Sequence, residues 1–173
     1  MDYTIKNCVV VVQLNRRFDL DEVAQVIPKA KYDPWRFTAV FFKLPSGVRA
    51  ILAESGKVTL NGIKSANYQK YVDELMELIK RYYNNVEVVD VRIAQVVAYF
   101  DLHRTVILED LWQKFDNVVY EPETFPAATL RLPELGVTLN IFSTGKICCY
   151  RAKSLEQLEE VGRWIEKNLM ENR

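Results

Sequence analysis

The chain reads YDPWRFTAVFF from Tyr32 to Phe42 and YEPETFPAATL from Tyr120 to Leu130. Tyr120 stands 88 residues after Tyr32, and Pro122 and Phe125 follow Pro34 and Phe37 at the same interval. A shared Tyr-acid-Pro-x-x-Phe points to an internal repeat, the feature to seek before any other. Upstream, IKNCVVVVQL from Ile5 lies over IAQVVAYFDL from Ile93. Downstream the offset becomes 89, one residue of the first copy having been lost near the PSG turn. There ILAESGKVTLNGIKS from Ile51 lies over NIFSTGKICCYRAKS from Asn140. Both copies carry Gly-Lys, then Lys-Ser seven residues after that Lys. Residues 1–90 therefore read as a first repeat and 91–173 as a second, related by a pseudo-two-fold axis.

Each copy has the same order of elements. An apolar strand spans 4–13 or 91–100, and a short helix spans 19–27 or 106–115. Three strands follow, at 37–44, 48–54 and 57–62, or at 125–132, 136–142 and 145–151. Gly47, Gly56, Gly136 and Gly145 mark the turns. A longer helix closes each copy. Tyr68, Tyr71, Val72, Leu75, Ile79 and Tyr82 form its apolar face in the first, and Leu155, Leu158, Val161, Ile165 and Leu169 in the second. Ser65 and Ser154 stand where N-caps belong. The expected fold is α+β with a ten-stranded antiparallel sheet, eight of whose strands are those read here, its helices all on one face. The other face stays open, and an open sheet face of that size is a binding surface.

Composition narrows the function. The chain has 173 residues, 49% hydrophobic and 27% charged, and its formal net charge is zero. That is an ordinary globular balance without the strong basicity of a typical nucleic-acid binder. No apolar run reaches the length of a membrane span, and MDYTIKN is not a signal peptide, so an intracellular protein without a membrane partner is expected. Cys8, Cys148 and Cys149 have no disulfide or zinc spacing and read as buried structural thiols. The single histidine, His103, has no partner pattern for a Ser-His-Asp or Cys-His site. There is no P-loop or G-x-G-x-x-G. No metal, cofactor or enzymatic activity is expected.

Both repeats, over essentially the whole chain, resemble the TATA-binding protein family. YEPETFPAATLRL, LNIFSTGKI and AKS are similar to that family's second repeat, and YDPWRFTAVFFKL with ESGKVTLNGIKS to its first. The resemblance implies a curved saddle with helices on the convex side. Its underside would lie in the minor groove of promoter DNA, the mode for which TATA-binding protein is the type case. Two phenylalanines per repeat then act as wedges. Phe125 and Phe142 fill both places in the second repeat. Phe37 fills one in the first, but Ala53 holds the other. Phe41 and Phe42 read as packing residues.

The resemblance also implies readers of base edges. Asn7 keeps the family's residue in the first strand, while Gln95 replaces its counterpart. Asn61 and Tyr150 stand at threonine positions, and Arg151 replaces a glycine. Val9 and Val97 are carried over as groove contacts. Lys43, Arg49, Lys57, Arg131 and Lys146 fall on strands, whereas Asp21, Glu22, Asp73, Glu74, Glu77, Glu156, Glu159, Glu160 and Glu166 fall on helices. Zero net charge can thus be a basic underside below an acidic top, with Lys43, Lys57, Arg131 and Lys146 as phosphate contacts. The stirrup around Glu121 and Glu123 matches where the family docks transcription factor IIB. Asp33 and Arg36 match the region facing factor IIA in eukaryotes. The expected partners are double-stranded promoter DNA, IIB-like and IIA-like factors and the polymerase pre-initiation complex. The expected location is the nucleus of a eukaryote, or the cytoplasm of an archaeon. The chain reads as little more than the bare saddle core. The competing reading is a protein-interaction module that keeps the fold but has lost strict TATA recognition or DNA bending.

Overall fold

The computed structural model describes residues 1–170, so the last three residues of the second repeat lie outside it. The fold is α+β, with nine strands and four α-helices among the described residues. The chain divides into two compact units, Asn7–Ala94 and Met1–Lys6 with the segment from Gln95 onward. The sequence boundary at 90/91 falls inside a strand.

The first unit holds most of β1 (Thr4–Leu14), then α1 (Leu20–Val26), β2 (Ala39–Lys43), β3 (Arg49–Ala53), β4 (Lys57–Ile63) and α2 (Gln69–Lys80). Its strands run β2-β3-β4-β1, all antiparallel. The second unit holds the body of β5 (Val88–Asp101), then α3 (Leu108–Lys114), β6 (Val118–Val119), β7 (Ala127–Leu132), β8 (Val137–Phe142), β9 (Lys146–Ala152) and α4 (Leu155–Ile165). A π-helical turn, Glu166–Met170, follows. Its order is β5-β9-β8-β7-β6, again antiparallel.

Nine strands rather than ten reflect one local difference. In the second repeat Val118 and Val119 pair with Leu130 and Thr129. The counterpart in the first is a single bridge between Lys31 and Phe41, closed by reciprocal N–H···O bonds of 2.8 and 2.9 Å. Lys29, at φ 61°, bends the chain before Lys31, and the Tyr32-Asp33-Pro34 turn follows at once. Only one residue is left extended.

Alternation sorts each strand into two faces. Val40, Phe42, Ala50, Leu52, Val58 and Leu60 are buried in the first repeat, and Val137, Leu139, Ile141, Ile147 and Cys149 in the second. They share the helix side with Val72, Leu75 and Ile79 of α2 and with Leu158, Val161 and Ile165 of α4, all buried. Fully burying such a side chain contributes about 1.5–3 kcal/mol. Among the described residues this core contains no buried charged or polar residue. All three cysteines are buried and free, and burial pushes the Cys8 thiol up to about 11 and Cys149 to about 12. Ser154 caps α4 by accepting the Gln157 amide at 3.1 Å. Ser65 does not cap α2, which begins at Gln69. Its hydroxyl accepts the Asn67 amide at 3.0 Å and holds the turn before the helix.

Both repeats carry a bulge at the same place. Pairing of β1 with β4 shifts between Cys8 and Val10, opposite Asn61 and Gly62; pairing of β5 with β9 shifts between Val96 and Ala98, opposite Tyr150 and Arg151. Gly62 adopts φ 98°, which glycine takes without strain, and Arg151 adopts φ 73°, which an L side chain takes at a cost.

Candidate nucleic-acid interface

The opening motif builds the same turn twice. In YDPWRF the Asp33 carbonyl accepts the Arg36 amide at 3.0 Å and the Phe37 amide at 2.9 Å. In YEPETF the Glu121 carbonyl accepts the Thr124 amide at 2.9 Å and the Phe125 amide at 3.0 Å. Proline after the acid presets φ for one helical turn. The phenylalanine ending the turn is delivered at the sheet edge with its ring out, 48% exposed for Phe37 and 41% for Phe125. Asp33, Arg36, Glu121 and Glu123 lie exposed on these turns, as does Trp35.

Each exposed ring has an aromatic neighbour, but the neighbours come from different strands. Phe125 meets Phe142 of β8 edge-to-face, with centroids 6.0 Å apart and planes at 70°. Phe37 meets Phe41 of β2, 5.0 Å apart at 68°. Phe41 is therefore not core. It alternates with buried Val40 and Phe42 and shares the open face with Ala39 and exposed Lys43. Strict period-two alternation from Lys43 was the signal for it. Phe42 does pack inside, at 4% exposure.

The polar readers are fixed by their neighbours. Asn7 accepts the Gly62 amide on Oδ1 and donates from Nδ2 to Asn61 Oδ1, both at 2.9 Å. The Asn61 Nδ2 donors have no protein acceptor among the described residues, so they remain available on the open face. In the second repeat Thr129 Oγ1 donates to Asn140 Oδ1 at 2.9 Å, and the Asn140 amide also donates toward the Tyr150 phenol. Gln95 is exposed, Val9 half-buried, and Val97 largely covered at 8% exposure. Tyr150 lies beside Cys148. A hydrogen bond to that thiol, with partial burial, raises its phenol above the ordinary value.

Lys43, Arg49 and Lys57 in the first repeat and Arg131 and Lys146 in the second are exposed on strands, and none pairs with a carboxylate among the described residues. Lys43 and Arg49 face each other across β2 and β3. Like charges directly opposite repel, a cost that an anionic ligand would remove. The Lys6 and Lys146 ammonium groups lie 5.3 and 5.9 Å from the Tyr99 ring centroid. Sequence reasoning missed Lys6 and Tyr99. Tyr99 was reachable by alternation from Val97; the place of Lys6 follows from an irregular strand end that no pattern marks. The nine helix-region acids named above are all carried by α1, α2, α4 or the start of the π-helical turn.

Two stretches of the chain, residues 2–84 and 90–171, match the family model described as transcription factor TFIID, or TATA-binding protein. The chain belongs to the TATA-binding protein family. Members of this family are transcription factors rather than enzymes. The TATA-box-binding protein of Picrophilus torridus is 30% identical over 96% of this chain and 93% of its own length. That of Sulfurisphaera tokodaii is 32% identical over 96% and 86%. That of Pyrobaculum aerophilum is 33% identical over 88% and 78%. The solved TATA-binding protein of Methanococcus jannaschii matches with a TM-score of 0.87 at 28% identity, covering 99% of both chains. Among the described residues no helix is long and apolar enough to cross a membrane. No group of three His, Cys, Asp or Glu is placed to hold a metal there either.

Proposed function

We propose that this transcription factor binds promoter DNA through the open faces of its two repeats, in the minor groove, bending the duplex and recruiting a factor-IIB-like partner. The observation that carries the reading is the paired rings. Phe37 and Phe125 stand exposed at equivalent edges, each backed by a second ring, and the strand bases beside them have no acidic partners among the described residues. Apolar wedges unstack base steps and kink a duplex, and TATA-binding protein is the type case of this mode. Asn61, Asn140 and Gln95 supply amide donors. A·T pairs present only acceptors in the minor groove, so donors without a competing N2 amino group favour A·T-rich sites. Lys43, Lys57, Arg131 and Lys146 contact phosphates, releasing counterions and making affinity fall with salt. Glu121 and Glu123 form an acidic docking edge for a basic surface of the IIB-like factor. Asp33 and Arg36, one charge of each sign, offer the docking edge for any IIA-like factor, and the assembly then receives the polymerase. The archaeal relatives favour the cytoplasm over a nucleus.

The competing reading, a protein-docking platform, draws on Ala53 and on bulky Tyr150. Fluorescence anisotropy separates the two. Titration of A·T-rich and scrambled duplexes should show tighter binding to the A·T-rich one, with affinity falling steeply as salt rises. No measurable duplex binding at low salt, together with loss of a protein partner on mutation of Phe125 or Phe142, would establish the docking platform instead.

A further inference from the structure

The two ring pairs have the same edge-to-face geometry, yet they are not built from equivalent residues. In the second repeat the inner ring is Phe142 on β8, opposite Ala127. The equivalent position in the first repeat is Ala53, opposite Ala39. Phe41 lies two residues along β2 from Ala39 and pairs with Ile51, which places it on the cross-strand diagonal from Ala53. Diagonal neighbours on one sheet face stay within reach of an aromatic side chain. Its own equivalent in the second repeat is Thr129, which pairs with Asn140. One repeat thus has a ring at the first position and a threonine at the second. The other has a ring at the second and an alanine at the first.

We propose that Phe41 is the second DNA-contacting wedge of the first repeat, taking over from the absent ring at Ala53. This rests on the DNA-binding reading above. The Phe41 ring is half-exposed on the open face, packs 5.0 Å from Phe37 and has no polar group to satisfy. It lies one strand over and two residues along from Ala53, the equivalent of the usual ring position, roughly 7–8 Å away on the diagonal. The first repeat therefore presents its inner ring further in along the face than the second does. It also gives up the polar pair that Thr129 and Asn140 form there. Phe41 and Ile51 offer an apolar surface at that place, which suits base edges free of the guanine amino group.

The test transplants one arrangement into the other repeat. Wild type, Phe41→Thr, and the double variant Phe41→Thr/Ala53→Phe are titrated by anisotropy against one A·T-rich duplex. 2-Aminopurine is placed at each step in turn to report unstacking. Wild type should brighten the probe at two steps. Phe41→Thr should weaken binding about ten-fold, the scale of one lost aromatic stack, and lose one bright step. The double variant should recover affinity and a second bright step displaced from the original. Thermal melting by circular dichroism should be little changed, since the ring is not core. Wild-type affinity and two bright steps in Phe41→Thr would overturn the assignment while leaving the DNA-binding reading intact. Loss of affinity with no recovery in the folded double variant would also overturn it. Absence of any duplex binding by wild type would overturn both.

Discussion

The two repeats share a backbone and differ in what they put on its open face. Both begin with a Tyr-acid-Pro turn, both deliver an exposed phenylalanine, both shift register at a bulge, and both return through a tight Gly-Lys turn. Along β2 and β3, and their counterparts β7 and β8, they part. The first repeat sets Phe41 opposite Ile51; the second sets Thr129 opposite Asn140 with a hydrogen bond. Backbone requirements have few solutions and are retained in both copies. Side chains on an uncovered face answer only to a ligand, so they can drift apart. The difference teaches that the scaffold is symmetric and the reading surface is not.

The symmetric part should be the most fragile. Gly56 and Gly145 sit at φ 88° and 93°, and a Cβ at either would overlap a backbone carbonyl, that of Arg16 or Arg104. Gly56→Ala and Gly145→Ala should each cost about 3 kcal/mol in urea unfolding, from backbone overlap plus the left-handed penalty. A large cost in one repeat and none in the other would break the equivalence.

The exposed rings come next. Phe125→Ala and Phe37→Ala should each weaken binding of an A·T-rich duplex by about 1–3 kcal/mol in anisotropy titrations. Comparable losses support two working wedges. A loss confined to Phe125→Ala would mean that the first repeat has stopped inserting.

The bulges supply a smaller and opposite effect. Arg151 holds the backbone conformation that Gly62 holds in the first repeat. Arg151→Gly should therefore raise stability by about 1 kcal/mol, by relieving left-handed strain. Destabilisation by that change would mean that the Arg151 side chain contributes more than its backbone costs.

The smallest effects are electrostatic. Lys57→Ala and Lys146→Ala should each lower affinity on all duplex sequences and reduce the log–log salt slope by about one. Glu123→Arg should leave duplex affinity nearly intact and weaken a IIB-like partner, since its charge lies on the outer turn. A salt slope unchanged by both lysine variants would remove them from the phosphate contacts.

The fold was legible because duplication doubles every weak signal. A lone Gly-Lys or Tyr-Asp-Pro says little, but the same spacing twice fixes strands, turns and closing helices together. What escaped was set by single backbone events. The short β6 has no counterpart strand because only Lys31 is extended between the Lys29 bend and the turn after Tyr32, and Ser65 caps a turn instead of α2. On the face, Phe37, Phe125 and Phe142 could be named from the family resemblance, and the lysines from their places on the strands. A phenylalanine within the apolar run TAVFF is usually buried, so the run alone puts Phe41 in the core, and the observed alternation separates it from Phe42. The Thr129–Asn140 bond was not legible, since cross-strand register is a property of the folded sheet.

Minor-groove reading by these faces can be tested by exchanging every A·T pair of a bound duplex for inosine·cytosine. That pair presents the minor-groove acceptors of A·T without the guanine amino group, while its major groove resembles G·C. Anisotropy titration of wild-type protein should give nearly the same affinity for the exchanged duplex as for the A·T parent, and much weaker binding to the G·C duplex. Binding to the inosine duplex as weak as to the G·C duplex would place recognition outside the minor groove and contradict the account.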